Sequence, residues 1–397
     1  MFDLDAIQES LRSFGLDAWL LYDFRGNNLL ARRVLDLDGK APGSRRFFYM
    51  IPAWGEPRKL VHRIETAALD HLPGSKQVYL RWQELEEKVS GLVEGCRRIA
   101  MEYAPRLMNP YVARIDAGVA EFVRSLGVEI VSSGDLVQLF ESTWDEQQWR
   151  QHLEAERHTQ SAFDVAWGLI ADRVRRGSTV RETEVQKAIL DHFERHNLTT
   201  YSPPNVSVGP HSGDPHYEPV PGHDAEIGPD DFVLIDLWAK VKAERSVYSD
   251  LTRVGYVGES VPARYEEIFA IVARARDAAI AIVRDAFAAG RPIQGWEVDD
   301  AARDVIEAAG YGANYIHRTG HNIGQEVHGN GAHMDNLETH EERLILPMTC
   351  FSVEPGIYFD DFGIRSEINV FVDAEKNVHV TGGLQERVVP ILAMNRS

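Results

Sequence analysis

The chain repeats itself once, loosely but in a constant register. Gly177 stands seven positions before Glu184-Val185, with Ala188 following. Gly290 stands seven before Glu297-Val298, with Ala301 in the matching place. Upstream of each glycine runs a long helical pattern. Downstream come short apolar runs that carry a histidine (His216, then His328) and a pair of acids (Asp236 and Asp250, then Glu354 and Glu367). Corresponding residues lie 112 to 118 positions apart, an offset that two unrelated halves would rarely keep. A repeat of two helices and a strand hairpin buries its apolar face by stacking on its twin. The spacing therefore predicts a domain of approximate twofold symmetry, with the two acid-bearing hairpins meeting near the axis.

Each acid sits in or beside a short apolar, β-branched run: VLIDLW, VYSDLTR, SVEPG and SEINVFV. Strands of that kind hold a side chain on a rigid frame. Singly, each acid has an ordinary explanation. Asp236 could pair with an arginine, and Asp250 could bridge to Arg253. Glu354 could end a strand before a Pro-Gly turn, and Glu367 could pair with Arg365. A lone histidine such as His321, in Gly-His-Asn-Ile-Gly, is more often structural than metal-bound. Jointly, four acids converging from two hairpins would carry a heavy desolvation cost without a partner. With His321 they form a mostly oxygen donor set, suited to two divalent ions such as Mn²⁺, Fe²⁺, Co²⁺ or Zn²⁺. Two such ions acidify a shared water and present it as a nucleophile at neutral pH. That chemistry is hydrolytic.

At 397 residues and 44% hydrophobic, the chain is long enough for two cores. Strands are expected over 18–22, 46–51, 59–62, 77–80, 98–103 and 128–133. Helical patterns such as 4–14 and 112–125 lie between them. Residues 1–143 thus read as a mixed α/β domain, with no cluster of catalytic residue types and a packing or dimerisation role. From about Glu146 long amphipathic helices take over, at 146–175, 180–196, 262–289 and 296–309, and residues 144–397 read as the second domain. The class is α+β. A formal net charge of −19 excludes a phosphate-neutralising surface and hence nucleic acid. No apolar run reaches membrane-spanning length. The acidic start MFDLDAIQES lacks the layout of a signal peptide, and Cys96 and Cys350 make no disulfide framework. The cytoplasm is the expected compartment.

The stretches NVSVGPHSGDPHYEP, VLIDLWAKVKAERSVYSDLTR, GHNIGQEVHG, SVEPGIYF and GIRSEINVFV together resemble the pita-bread metallopeptidases, which include methionine aminopeptidase, aminopeptidase P and prolidase. The N-terminal part resembles the creatinase-type domain of prolidase and aminopeptidase P, which methionine aminopeptidases usually lack. The resemblance implies a creatinase-like domain followed by a pseudo-twofold pita-bread catalytic domain, acting as a homodimer on short proline-containing peptides. It implies two metal ions, manganese first, with Asp236 chelating one, Asp250 and Glu367 bridging both, and His321 and Glu354 completing the other. His216 and His328 would bond the scissile carbonyl and its oxyanion. Glu354 would also carry a proton to the leaving amine, and Arg365 would orient a carboxylate.

Three features depart from the family pattern. The Asp236–Asp250 connection is longer, around Lys242 to Arg245. Gly329 follows His328 where an acid is common. Only Arg343, in the segment 330–346, is available to grip a dipeptide's carboxylate. The expected activity is removal of an N-terminal residue that precedes proline, from Xaa-Pro dipeptides first and from longer Xaa-Pro peptides second. A metal-free creatinase-like hydrolase and an inactive peptide-binding module are the competing readings, and the intact five-ligand set argues against both.

Overall fold

A computed structural model describes residues 2–37 and 43–394. These fall into two compact units, Met1–Glu141 and Ser142–Ser397. In the first, strands β1 (Ala18–Asp23), β2 (Phe47–Pro52), β3 (Arg58–His62), β4 (Ser75–Tyr79), β5 (Arg98–Met101) and β6 (Glu129–Ser132) form one mixed sheet in the order β4-β3-β2-β1-β5-β6. The two-residue period of a strand sends alternate side chains to opposite faces. On one face Trp19 and Leu21 meet α1 (Leu4–Ser13), α2 (Leu29–Val34) and α5 (Gly134–Glu141). On the other, Ala18, Leu20 and Tyr22 meet α3 (Trp82–Val93) and α4 (Ala117–Ser125). A sheet covered on both faces explains why β1 is buried from end to end. The helix expected over 112–125 begins only at Ala117, because the Asp116 carboxylate accepts the Val119 N–H and caps it there.

In the second unit the duplication takes the form of two equivalent blocks. Helices α6 (Glu146–Arg175) and α7 (Glu182–Arg195) precede the antiparallel strands Phe232–Val241 and Ser249–Tyr256. Helices α8 (Ala263–Ala288) and α9 (Gly295–Ala308) precede the antiparallel strands Cys350–Val353 and Ile368–Val372. The repeated residues turn out to be helix punctuation. Gly177 and Gly290 close α6 and α8 with φ of 77° and 66°. Each donates its N–H to a carbonyl three residues back, Val174 or Phe287. The next residue in each case donates to a carbonyl five back, Arg173 or Ala286. This is one closing motif used twice. Glu184 and Glu297, at the third position of α7 and α9, accept the backbone N–H of Arg181 and Gln294, which closes the opening turn of each helix.

The same alternation sets which way the hairpins face. Val233, Ile235, Leu237 and Ala239 pack with Phe163, Trp167, Ile189 and Phe193 of α6 and α7. Phe351, Val353, Ile368, Val370 and Val372 pack with Val272, Ala279, Val283 and Val298 of α8 and α9. Each hairpin therefore turns one face to its own helix pair. The residues of opposite parity, Asp236 and Trp238 in the first and Ser352 and Asn369 in the second, point the other way. The extra residues between Asp236 and Asp250 fall in the connection 242–248, where Arg245 adopts a φ of 57°, and the ladder below it keeps its register.

A Cβ at Gly177 or Gly290 would meet nothing within 4 Å, so alanine there would cost only the left-handed backbone conformation. Gly177→Ala and Gly290→Ala should each lower the unfolding free energy by about 1 kcal/mol. Urea unfolding curves measure both, and a several-fold difference between them would contradict the equivalence of the two helix ends.

Candidate metal centre

Four acids and one histidine converge between the two hairpins. In the first hairpin Asp236 pairs across from Thr252 and Asp250 from Trp238, which makes the two aspartates diagonal neighbours on one face. Glu354 directly follows Val353 and Glu367 directly precedes Ile368, the last couple of the second ladder. The hairpins are stitched together at this point. The Asp250 N–H donates to Asn369 Oδ1 at 3.1 Å, and Asn369 Nδ2 donates back to the Asp250 carbonyl at 2.6 Å. His321 enters on the segment ahead of Asn322–Ile323, which pairs with the Glu354 strand. Its N–H donates to Ser352 Oγ at 3.0 Å, and its carbonyl accepts the Ser352 N–H at 2.8 Å.

His321 Nε2 lies 3.4 Å from Asp250 Oδ2 and 3.4 Å from Glu354 Oε1. Two ligands each about 2.1 Å from one ion stand roughly 3–3.5 Å apart, so these spacings suit a shared cation. His321 Nδ1 faces the Asn322 carbonyl at 3.3 Å. A proton placed there leaves the lone pair on Nε2. One donor atom each from Asp250, His321 and Glu367 lie within 4.8 Å of one another. Asp236 Oδ1, Asp250 Oδ1 and Glu367 Oε1 are buried and accept no hydrogen bond. Orphaned carboxylate oxygens in such a place are costly unless a cation meets them. Three in one site is the observation on which these residues fit divalent ions. Asp250, His321 and Glu367 form a buried floor, whereas Asp236 and Glu354 are partly open.

Electrostatics follow from the crowding. Burial, reinforced by the neighbouring acids, holds the Asp250 and Glu367 carboxyls well above the usual range. Burial pushes Glu354 up to about 7 against the opposing pull of Arg365, and it raises Asp236 against the same cation. Burial, with His328 beside it, holds the His321 imidazole well below its ordinary value. The ring is neutral at pH 7, as a ligand must be.

Arg365 is fixed from three sides. It donates to Asp236, to Thr252 Oγ1 at 3.0 Å and to the Tyr358 hydroxyl at 3.0 Å. Thr252 Oγ1 in turn donates to Glu367 Oε2 at 2.7 Å. His328 stands edge-on to His321, their centroids 4.3 Å apart. The protein packed round it, and the Arg318 charge, push its imidazole down to about 4. His216 is exposed and lies near Asp236 and His328.

Arg343, expected to grip a substrate carboxylate, is buried and donates to Glu341 at 2.9 and 2.6 Å and to the Asn330 carbonyl at 2.7 Å. Its fork is committed inside the protein. Gly329 also has a physical reason. A Cβ there would lie 2.2 Å from Asn322 Oδ1, so any side chain at this position would force the Asn322 amide to shift.

Several neighbours of the site were not read from the sequence. Thr252 could have been, since it follows Asp250 by two and so shares its face. Asn205 pairs across from Asp236 on a third strand, and its Oδ1 is buried without a partner, as is Trp238 Nε1. Only the strand register brings Asn205 there.

A model of metallopeptidase family M24 matches residues 150–374. The probable dipeptidase PepE of Mycobacterium bovis is 26% identical over 347 residues, which cover 86% of this chain and 84% of that one. The Xaa-Pro dipeptidase of Lactobacillus delbrueckii subsp. lactis is 29% identical over 207 residues, covering 52% of this chain and 50% of that one. The crystal structure of dipeptidase PepE from Mycobacterium ulcerans matches with a TM-score of 0.65 at 21% identity, over 97% of this chain and 96% of that one. That likeness is one of fold.

Because the metal-free acids hold protons more tightly than usual, a divalent ion must displace protons when it binds. Binding at pH 7 should release protons, and apparent affinity should rise with pH. Calorimetric titration in two buffers of different ionisation enthalpy counts them. No release would mean that the acids are already charged and their mutual repulsion is not felt.

Proposed function

The chain belongs to metallopeptidase family M24, and from that premise we propose that this metal-dependent peptidase removes an N-terminal residue preceding proline, acting first on Xaa-Pro dipeptides. The observation that carries the reading is the trio of orphaned carboxylate oxygens on Asp236, Asp250 and Glu367 beside the His321 lone pair. Asp236 would hold one ion, His321 and Glu354 would hold the other, and Asp250 and Glu367 would serve both. The oxygen-rich set supports manganese as the working ion, with cobalt, iron or zinc also accommodated. When bound, the ions supply an acidified water and polarise the scissile carbonyl.

The protein's own groups have separate tasks in this reading. Glu354, on the open side of the cluster, takes the proton from the attacking water and passes it to the leaving amine. His328 and His216 donate to the substrate carbonyl as it becomes an oxyanion. Arg365 orients Asp236 and, through Thr252, Glu367. Trp238 and Asn205, with their partnerless polar atoms beside Asp236, line the pocket for the N-terminal residue. Proline has no N–H to offer at the scissile bond, so recognition rests on shape and on the groups around it.

The dipeptidase preference draws support from the PepE and Xaa-Pro dipeptidase relatives. Cleavage of longer Xaa-Pro peptides is the second reading, favoured by the commitment of Arg343 to Glu341. The reading also includes a homodimer, as the family resemblance implies, and a cytoplasmic setting. No helix among the described residues is long and apolar enough to cross a membrane. Cys96 and Cys350 are both unpaired, which suits a reducing compartment.

Asp250→Asn and Glu367→Gln should each sharply reduce metal content and abolish hydrolysis. Chelation of the native protein should lower its melting temperature, since an ion bound only by the folded state stabilises it. Full occupancy and activity in the doubly substituted protein would falsify the ligand assignment. Xaa-Pro dipeptides and Xaa-Pro-Xaa tripeptides assayed side by side with Mn²⁺ decide the substrate class. Faster cleavage of the tripeptides moves the protein to the aminopeptidase reading, and cleavage of peptides without proline at the second position removes both.

A further inference from the structure

A second group of metal-ligating side chains lies outside the carboxylate centre. His158 of α6 and His192 of α7 meet His196, which caps the C-terminal end of α7. One ring nitrogen from each lies within 4.8 Å of one from each of the others. The rings of His158 and His196 stack with centroids 4.1 Å apart, and those of His192 and His196 stand 4.4 Å apart. His192 and His196 are four residues apart, the spacing that puts two side chains on one helix face. His158 approaches from the neighbouring helix.

Two further observations bear on this cluster. His192 is buried, and its Nε2 lies 3.1 Å from the His158 carbonyl oxygen and 3.0 Å from Ser161 Oγ. A carbonyl can only accept, so Nε2 carries the proton and the lone pair is on Nδ1. Metal-binding histidines are characteristically held this way, with the other ring N–H donated to a backbone carbonyl. The second observation comes from the duplication. Counting from Gly177 and Gly290, the positions that answer to His158, His192 and His196 are Ile271, Val305 and Ala309. Ile271 and Val305 pack against the apolar core of their block. The same place between paired helices is closed by hydrocarbon in one half and by three imidazoles in the other, so simple packing does not require histidines here.

We propose that His158, His192 and His196 bind one late transition-metal ion, zinc or copper, which staples α6 to α7. Arg157 and Arg195 lie close enough to bear on the rings, with Glu154 as the acid that faces His158. Net charge therefore does little to draw a cation. Affinity comes from the nitrogen donors, which select zinc and copper over calcium, magnesium and manganese. Burial lowers the His158 and His192 values below the ordinary imidazole range, so both offer lone pairs at pH 7.

The test uses the full-length protein saturated with Mn²⁺ and then equilibrated with low-micromolar Zn²⁺ or Cu²⁺, beside His158→Gln and His196→Gln. The carboxylate centre is common to all three proteins, so only differences between them report on the histidines. The native chain should retain one more equivalent of zinc than either variant and show a larger rise in melting temperature on adding it. Its Cu²⁺ resonance spectrum, recorded with Mg²⁺ in place of Mn²⁺, should show coupling to more nitrogens than the spectrum of either variant. Equal zinc retention and equal thermal shifts in the three proteins overturn the proposal. A native copper spectrum with coupling to no more nitrogens than those of the variants overturns it equally. Failure of the peptidase reading would show instead as lost hydrolysis in all three, with the zinc difference intact.

Discussion

Mutual repulsion among buried acids is the constraint on which the second unit turns. Asp236, Asp250, Glu354 and Glu367 are brought to one place by two hairpins that each bury their opposite face against their own helices. Neither hairpin could hold its acids inward without that apolar anchor, because burying them costs more than burying the same length of aliphatic chain. The stitching between Asp250 and Asn369 fixes the distance across which the acids face each other. The Thr252 hydroxyl, between Arg365 and Glu367, settles one oxygen of one acid. Asp236, Asp250 and Glu367 still each keep one oxygen with no partner. The scaffold is built to leave those oxygens available.

Much of this could be read from the sequence because it rests on local rules. Helix punctuation leaves Gly177, Glu184, Gly290 and Glu297 in matching places. Strand alternation leaves acids directly beside core-facing apolar residues, as Asp236 stands between Ile235 and Leu237. The six strands of the first unit were legible for the same reason. Arg343 is set by a contact that no local rule carries. A lone arginine in the right segment looks available until the fold places Glu341 against its fork, and nothing local announces that pairing. Asn205 reaches Asp236 only through the register of a third strand. The three-histidine cluster was not read from the sequence, because it depends on how α6 packs on α7. Contacts set by packing between elements leave no periodic trace.

Duplication gave the two blocks equivalent frames and left their side chains free to diverge. The first hairpin contributes two aspartates and the second two glutamates, one methylene longer. His328 is crowded against His321 while its counterpart His216 is exposed. The two histidines therefore differ in solvation, and in the proposed reading the more desolvated donor would be worth more to a developing negative charge. The floor of the centre, Asp250, His321 and Glu367, is buried, and its open side presents Asp236 and Glu354. In the proposed reading a substrate arriving from that side would meet first the acid held by Arg365 and the acid nearest neutrality, while Asp250 and Glu367 stay out of water behind them. An approximately symmetric fold thereby presents an asymmetric site, which attack on one side of a peptide bond and departure of an amine on the other require.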